Sequence, residues 1–364
     1  LWLPETYGSA EPFPQPVRPV ECGAGVEFPA LGLTVVLKVP FISVLLPARD
    51  AETTVLAAAR CILEQTHHDL ELIVVDDGST DDTLAALRSL TDPRVRVLDG
   101  GGKGLVHALN LALQEARGRL IARMDADDTC DARRLELSLD GLDGLDGVGT
   151  GVEIFRDDRP VSPNLLAYGA WLSGLTRPEL LFRDRLVESP LCHPSVLLKR
   201  EALEAVGGWS DGDFPEDWDL WLKLLESGHR LACVPHVLYR WRDHDRRLTR
   251  TDARYALGAH AALKARYLAA RHSRVEIAGA GRTGLLLSRL LRARGVEIER
   301  FIDVNVKKIG QRIEGVPVVS PDAVGRPNGV HLIAAAGAKG AREEIRSHLG
   351  ARGWVEGEHF TCAA

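Results

Sequence analysis

The sequence predicts an α/β protein in two units: a parallel sheet with helices on its faces, then a second, smaller α/β unit. Two observations carry this. From Phe41 to Met124, short apolar runs with β-branched residues alternate with helical stretches, the spacing of βαβ units. From Ser273 the same rhythm restarts around a glycine-rich turn. A chain of 364 residues with 45% apolar content has room for two such cores.

Residues 1–39 read as an irregular arm, because Pro4, Pro12, Pro14, Pro16 and Pro19 fit neither helices nor central strands. This stretch lacks the basic start and apolar core of a signal peptide. The longest apolar run, Leu31 to Leu46, is broken by Lys38 and Pro40 and is too short to span a bilayer. Phe41 to Leu46 is then a strand ended by Pro47, followed by a helix from about Glu52 to Gln65. Leu70 to Val75 is a strand that runs into Asp76-Asp77-Gly78-Ser79-Thr80, with a helix from Asp81 to Leu90. Arg94 to Leu98 is a strand, Leu105 to Ala116 a helix, and Leu120 to Met124 a strand that runs into Asp125-Ala126-Asp127-Asp128. Ligands bind at the carboxyl ends of such strands. Pro47-Ala48-Arg49-Asp50, Asp76-Asp77 and Asp125-Ala126-Asp127 all fall there, so the three polar clusters are expected on one rim. Alternate residues of an extended chain share a face, which points Asp125 and Asp127 the same way. Oxygen-only ligands suit a hard ion, Mg²⁺ or Mn²⁺.

Beyond Asp131 the glycine-rich stretch Gly141 to Gly151 leads to a strand near Val152 to Phe155, and Leu165 to Leu186 is helical in pieces. Cys192-His193-Pro194 enters a strand, and Glu201 to Val206 is a short helix. Pro215-Glu216-Asp217-Trp218-Asp219 opens a helix that runs to about Ser227. Val237 to Trp241 is a strand, and Thr251 to His272 a long Ala-rich helix joining the two units. In the second unit, Arg274 to Ala278 is a strand, followed by Gly279-Ala280-Gly281-Arg282-Thr283-Gly284, a helix, and a strand ending at Asp303. This is G-x-G-x-x-G in a strand–turn–helix setting, with an acidic residue about twenty positions on. It makes the unit Rossmann-like and Gly279, Gly281, Gly284 and Asp303 a candidate nucleotide loop.

Net charge is −6 with a pI near 6.1, which argues against nucleic acid as a partner. Six scattered cysteines without a C-x-x-C pair suit a reducing cytoplasm.

Residues 41–255 resemble the family 2 glycosyltransferases. The resemblance rests on the opening strand Phe41 to Asp50, on Val74-Val75-Asp76-Asp77-Gly78-Ser79-Thr80-Asp81, on Ala122-Arg123-Met124-Asp125-Ala126-Asp127-Asp128, and on Pro215-Glu216-Asp217-Trp218-Asp219-Leu220-Trp221-Leu222. It implies a GT-A fold, the nucleotide-diphospho-sugar transferase fold, over residues 40–250, with a helical linker over 251–272 and a Rossmann-like domain over 273–364. It further implies an inverting transfer of a sugar from a nucleotide-sugar donor, a UDP-sugar, to a hydroxyl of a glycan or lipid-linked acceptor, on the cytoplasmic side with peripheral membrane contact. In these terms Asp217 is the general base, and Asp127 holds Mg²⁺ or Mn²⁺ with Asp125 and His244. Pro47, Ala48, Asp50, Asp76, Asp77 and Asp125 form the donor nucleotide site. Glu216, His193, Trp209 and Arg242 lie on the acceptor or diphosphate side, while Asp128 supports. Two other readings stand beside this one: an NAD(P)-dependent oxidoreductase built on the Gly279 loop, and a non-catalytic nucleotide-sugar-binding protein.

Overall fold

The computed structural model describes residues 24–28, 33–37 and 41–364. By contacts the chain divides into residues 1–39 and 40–364. In the first unit, β1 (Ala24–Phe28) and β2 (Leu33–Leu37) pair antiparallel, where an irregular arm was expected. The prolines that argued for irregularity stop at Pro19 and resume at Pro29, leaving both strands free of them. The rest of the expected irregular arm lies outside the described residues.

The larger unit is built on two sheets. The first contains β3 (Ile42–Ala48), β4 (Leu70–Asp76), β5 (Val95–Asp99), β6 (Leu120–Arg123), β7 (Thr129–Cys130), β8 (Gly147–Phe155), β9 (Leu197–Lys199) and β10 (Leu231–Arg242), in the order β5-β4-β3-β6-β9-β8-β10-β7. Strands β3 to β6 are parallel, as expected. The whole sheet is mixed, because β9 runs antiparallel to both β6 and β8, and β7 antiparallel to β10. Helices α1 (Val55–Leu63), α2 (Thr83–Arg88), α3 (Leu105–Glu115), α4 (Arg134–Asp140), α5 (Pro163–Gly174), α6 (Pro178–Asp184), α7 (Arg200–Ala205) and α8 (Glu216–Glu226) connect the strands.

Alternation along the strands builds two cores. Ile42, Val44 and Leu46 of β3 pack with Val55, Ala58 and Ile62 of α1 on one face. Leu45 of β3 packs on the other face with Leu109 of α3 and with Leu220 and Trp221 of α8. This is the period-two pattern of a strand buried on both sides. Pro47 does not end β3 as expected. The pairing of β3 with β6 stops at Leu45, so only β4 still flanks Pro47, and its missing N–H interrupts no ladder on the open side.

The expected long joining helix enters in pieces: α9 (Leu248–Thr251), a 3₁₀ turn over Ala253–Tyr255, then α10 (Leu257–Arg271). Extended backbone at Ala256 makes the break. The second sheet contains β11 (Arg274–Ala278), β12 (Glu297–Ile302), β13 (Arg312–Ile313), β14 (Val316–Val319), β15 (His331–Ala334) and β16 (Phe360–Cys362), with α11 (Arg282–Arg292) and α12 (Ala341–Gly350). Its order is β13-β14-β12-β11-β15-β16, all parallel except the β13–β14 pair. The parallel strands are doubly wound outward from β11, as the glycine turn after that strand led us to expect.

Candidate active site

The carboxyl ends of β3, β4 and β6 bring three acidic clusters to one rim. Asp76 ends β4 and is buried, with its Oδ1 bonded to no protein group. Asp77 is also buried, and both of its oxygens accept the Gly104 N–H at 3.0 Å. The glycine-rich loop 100–104 lies tightly here: a Cβ on Gly78, at φ +72°, would sit 3.0 Å from the Gly102 backbone. Asp77 therefore anchors the loop, with the Arg49 guanidinium 3.7 Å from its carboxylate. Asp50 is exposed and adopts φ 47°. Its Oδ1 accepts from the Thr80 N–H at 2.8 Å and the Thr80 hydroxyl at 3.1 Å, tying two rim loops together. Pro47 and Ala48 line the end of β3 beside Val75 and Asp76.

Carboxylate oxygens of Asp125, Asp127 and Asp128 lie within 4.8 Å of one another. Tyr239 of β10 stitches this turn from below. Its hydroxyl donates to Asp128 Oδ2 at 2.8 Å and accepts the Asp125 N–H at 3.3 Å. Asp128 also accepts the Arg242 N–H at 2.7 Å and is buried. Burial, then the charges of Asp127 and Asp125, push its carboxyl well above the usual range. Asp125 and Asp127 stay half-buried, facing outward. Asp127 Oδ2 is 2.8 Å from His244 Nε2. Although burial opposes ionisation of Asp127, that bond and the Arg247 and His244 charges hold its carboxyl below the ordinary value. The structure thus brings His244 to Asp127. The half-buried carboxylates of Asp125 and Asp127, with the His244 ring beside them, fit a hard divalent cation.

Arg242 is bound to the acidic turn. Its Nε donates to the Asp127 carbonyl at 2.9 Å, and its Nη1 is paired with Asp157. These bonds tie the side chain to the acidic turn and to Asp157.

On the opposite side, α8 presents Glu216 and Asp217 in its first turn. Asp217 Oδ2 accepts the Ser189 hydroxyl at 3.0 Å, and burial raises its carboxyl above the ordinary range. Glu216 is buried and accepts from the Tyr255 hydroxyl at 2.6 Å. Burial, then the Asp217 charge, push it up to about 7. His193 Nδ1 stands 3.7 Å from Glu216 Oε1, and His193 Nε2 accepts the Trp209 indole N–H at 2.7 Å. Because an indole N–H can only donate, the proton of neutral His193 sits on Nδ1, toward Glu216. Burial and the Arg123 charge hold this ring neutral.

Trp209 is 3% exposed within the core, so it offers no face to a sugar and serves instead to orient His193. Trp218 is fully buried and is likewise a core residue.

Arg123 escaped the sequence reading, although it stands in the acidic stretch itself. Its side chain is 4% exposed, and Nη2 is 2.8 Å from Asp125 Oδ1. Its Nε and Nη1 have no protein partner. Its charge favours the ionised forms of both Glu216 and Asp217. A buried cation thus links the acidic turn to the carboxylates of α8. The signal available in the sequence was an arginine at a buried strand end beside an aspartate two residues on.

In the second sheet, Gly279 adopts φ +112°, and a Cβ on Gly284 would stand 1.8 Å from the Gly279 carbonyl. Gly281, at φ −91°, caps α11. Asp303 Oδ2 accepts from the Ala280 N–H at 2.9 Å and from the Lys308 ammonium at 3.0 Å. These four residues meet at the end of β11.

A mixed sheet with a nucleotide-type rim and an acidic turn at the end of its fourth strand defines a GT-A fold. Residues 43–207 match the profile of glycosyl transferase family 2, and this domain is a member of that family. The chain is 30% identical over 200 residues to a chondroitin synthase of Escherichia coli, covering 52% of this chain and 27% of that protein. It is 28% identical over 196 residues to the E. coli UDP-Glc:alpha-D-GlcNAc-diphosphoundecaprenol beta-1,3-glucosyltransferase WfgD, covering 52% of this chain and 71% of the relative. Among solved structures, residues 1–349 of S. aureus TarS in complex with UDP-GlcNAc share the fold with a TM-score of 0.50 and 17% identity, over 70% of this chain and 71% of that one. No helix among the described residues is long and apolar enough to cross a membrane.

Proposed function

We propose that this protein is an inverting, metal-dependent glycosyltransferase that moves a sugar from a UDP-sugar to a hydroxyl of a glycan or lipid-linked acceptor in surface-polysaccharide synthesis. The observation that carries the reading is the convergence, on one sheet rim, of a buried unpartnered Asp76 oxygen and the acidic turn of Asp125 and Asp127. The names of the relatives support the donor and acceptor classes: WfgD is a UDP-Glc-dependent transferase acting on a diphosphoundecaprenol-linked sugar.

Each residue then has a physical task. Asp76 Oδ1 accepts an N–H of the base, which removes the cost of an unmade bond at a buried acceptor. Pro47 and Ala48 form a floor for the base. Asp125, Asp127 and His244 are the residues that would hold Mg²⁺ or Mn²⁺, which offsets the negative charge growing on the leaving diphosphate. Asp217 accepts the proton of the acceptor hydroxyl as its oxygen bonds the anomeric carbon, and the bond from that carbon to the nucleoside diphosphate breaks. Attack from the side opposite the diphosphate inverts the anomeric centre. Ser189 fixes one Asp217 oxygen and leaves the other for the acceptor. The Arg123 charge favours the ionised form of Asp217 against the effect of burial.

The oxidoreductase reading is not favoured: it leaves the rim of Asp76, Asp125, Asp127 and Asp217 without a task. UDP with Mn²⁺ is expected to raise the melting temperature and UDP-sugars to yield UDP. No shift with UDP or GDP, with either cation, would sink the reading.

A further inference from the structure

The chain beyond Asp252 reaches back to Asp217 from two sides. From one side it holds helix α8. The Tyr255 hydroxyl donates to Glu216 Oε2 at 2.6 Å, and the Tyr267 hydroxyl to Asp219 Oδ1 at 2.9 Å, where Arg266 also pairs. Asp217 lies between these two clamped carboxylates. From the other side it holds the segment that carries Ser189, the hydrogen-bond partner of Asp217. The Lys264 ammonium donates to the Val187 carbonyl at 3.0 Å and to the Ala363 carbonyl at 2.8 Å, and lies 5.0 Å from the Trp218 ring. Arg346 of α12 pairs with Asp184 at the end of α6.

The apolar packing runs the same way. Leu186, Trp218 and Leu222 share one buried cluster with Ala280, Ala335 and Ala363. Those three alanines follow β11, β15 and β16, so they stand at the carboxyl edge of the second sheet. In open parallel sheets this edge takes the ligand. Here it takes part in packing against the catalytic domain.

We infer that the chain beyond Asp252, the joining helices together with the C-terminal α/β unit they pack on, is a positioning element of the transfer site, with Tyr255 and Lys264 of the joining segment seating α8 and the 184–189 segment so that Asp217 meets the acceptor. The inference rests on the reading of Asp217 as the base. Lys264 is suited to the task because its ammonium is held by two carbonyls from different units and burial draws it down to about 8. Tyr255 is suited because its hydroxyl bonds the buried carboxylate next to the base. Both are positioning residues and touch no reacting atom.

The test uses the full chain and compares Tyr255→Phe, Lys264→Met and Asp217→Asn. Turnover is read as UDP release from the fastest of UDP-glucose, UDP-galactose, UDP-GlcNAc and UDP-GalNAc. Both positioning variants should lower kcat by about ten- to a hundredfold, since misplacement of about 1 Å carries such losses. KM for the UDP-sugar and the thermal shift with UDP and Mn²⁺ should stay as in the parent. In parallel, amide hydrogen exchange should quicken over residues 185–190 and 216–220 and stay unchanged over 72–78 and 120–128. That arm needs no turnover and decides the matter should one variant fold poorly. Unchanged kcat and exchange in Tyr255→Phe, with Asp217→Asn inactive, would overturn the inference and leave the base in place. A rise in donor KM matching the fall in kcat would also overturn it. Retained turnover in Asp217→Asn would instead remove the reading of the base.

Discussion

The carboxyl edges of the two sheets started from similar sequence signals and came to different ends. The first edge carries carboxylates with capacity to spare: Asp76 Oδ1 is buried and unpartnered, and Asp125 and Asp127 converge half-exposed. At the second edge the Asp303 Oδ2 is already bonded by Lys308 and the Ala280 N–H. Its neighbours Ala280, Ala335 and Ala363 are buried and apolar. Close packing explains two glycines of the second edge: Gly284 has no room for a side chain against the Gly279 carbonyl, and Gly279, at φ +112°, lies against the Ala336 backbone. A glycine motif secures a turn; unspent hydrogen-bonding capacity on a rim marks a place for a ligand.

The largest effect that can break this contrast is at the base. Asp217→Asn should lower turnover by about 10²–10⁴-fold, the usual worth of a positioned general base. The thermal shift with UDP and Mn²⁺ should survive. If Glu216→Gln has the larger effect on turnover, the base is reassigned.

Next in size is the support beneath the acidic turn. Tyr239→Phe removes the hydroxyl that serves Asp128 Oδ2 and the Asp125 N–H, and should cost about 1–3 kcal/mol by chemical denaturation. The matching change on the second edge, Lys308→Met, removes a partly exposed pair and should cost at most about 1 kcal/mol, with turnover unchanged. Equal costs, or lost turnover in Lys308→Met, would erase the difference between the edges.

The acid–base behaviour sharpens the same point. Asp217 must be ionised to accept a proton, and burial raises its folded value above about 3.9, so turnover should fall on acidification at a pH above that of a free aspartate. For Glu216 the sign is opposite in stability. Its folded value, about 7, lies above the ordinary 4.5, so the folded state holds the proton more tightly. That contribution is complete below about pH 4.5 and fades as pH rises through about 7. Melting temperature measured from pH 5 to 8 should therefore decline less steeply in Glu216→Gln than in the parent. An unchanged slope would show that Glu216 is ionised throughout.

Much of the site was legible because its signals are local. The strands before Asp76 and Asp125 are apolar runs that end abruptly in carboxylates, and each meets the rim as expected. What sequence could not give depends on distant pairing. Strand β9 is three residues long, and nothing in Leu197–Lys199 states that it inserts antiparallel between β6 and β8. Pro47 looked like a strand end because the shorter reach of β6 beside it is set by the fold. The resemblance places Trp209 on the acceptor or diphosphate side, and an aromatic residue near a carboxylate reads the same in sequence whether its face is open or buried. Arg123 was passed over since its neighbours Asp125, Glu216 and Asp217 come from two separated segments.

The most direct test of the donor rim is calorimetric titration of UDP, with and without Mn²⁺, into the parent protein and Asp127→Ala. The expected result is binding in the parent that strengthens with Mn²⁺, and in Asp127→Ala a weaker affinity that no longer responds to the ion. Binding of UDP that is indifferent to Mn²⁺ in the parent, or a response to Mn²⁺ that persists in Asp127→Ala, would contradict the assignment of this turn as the metal and diphosphate site.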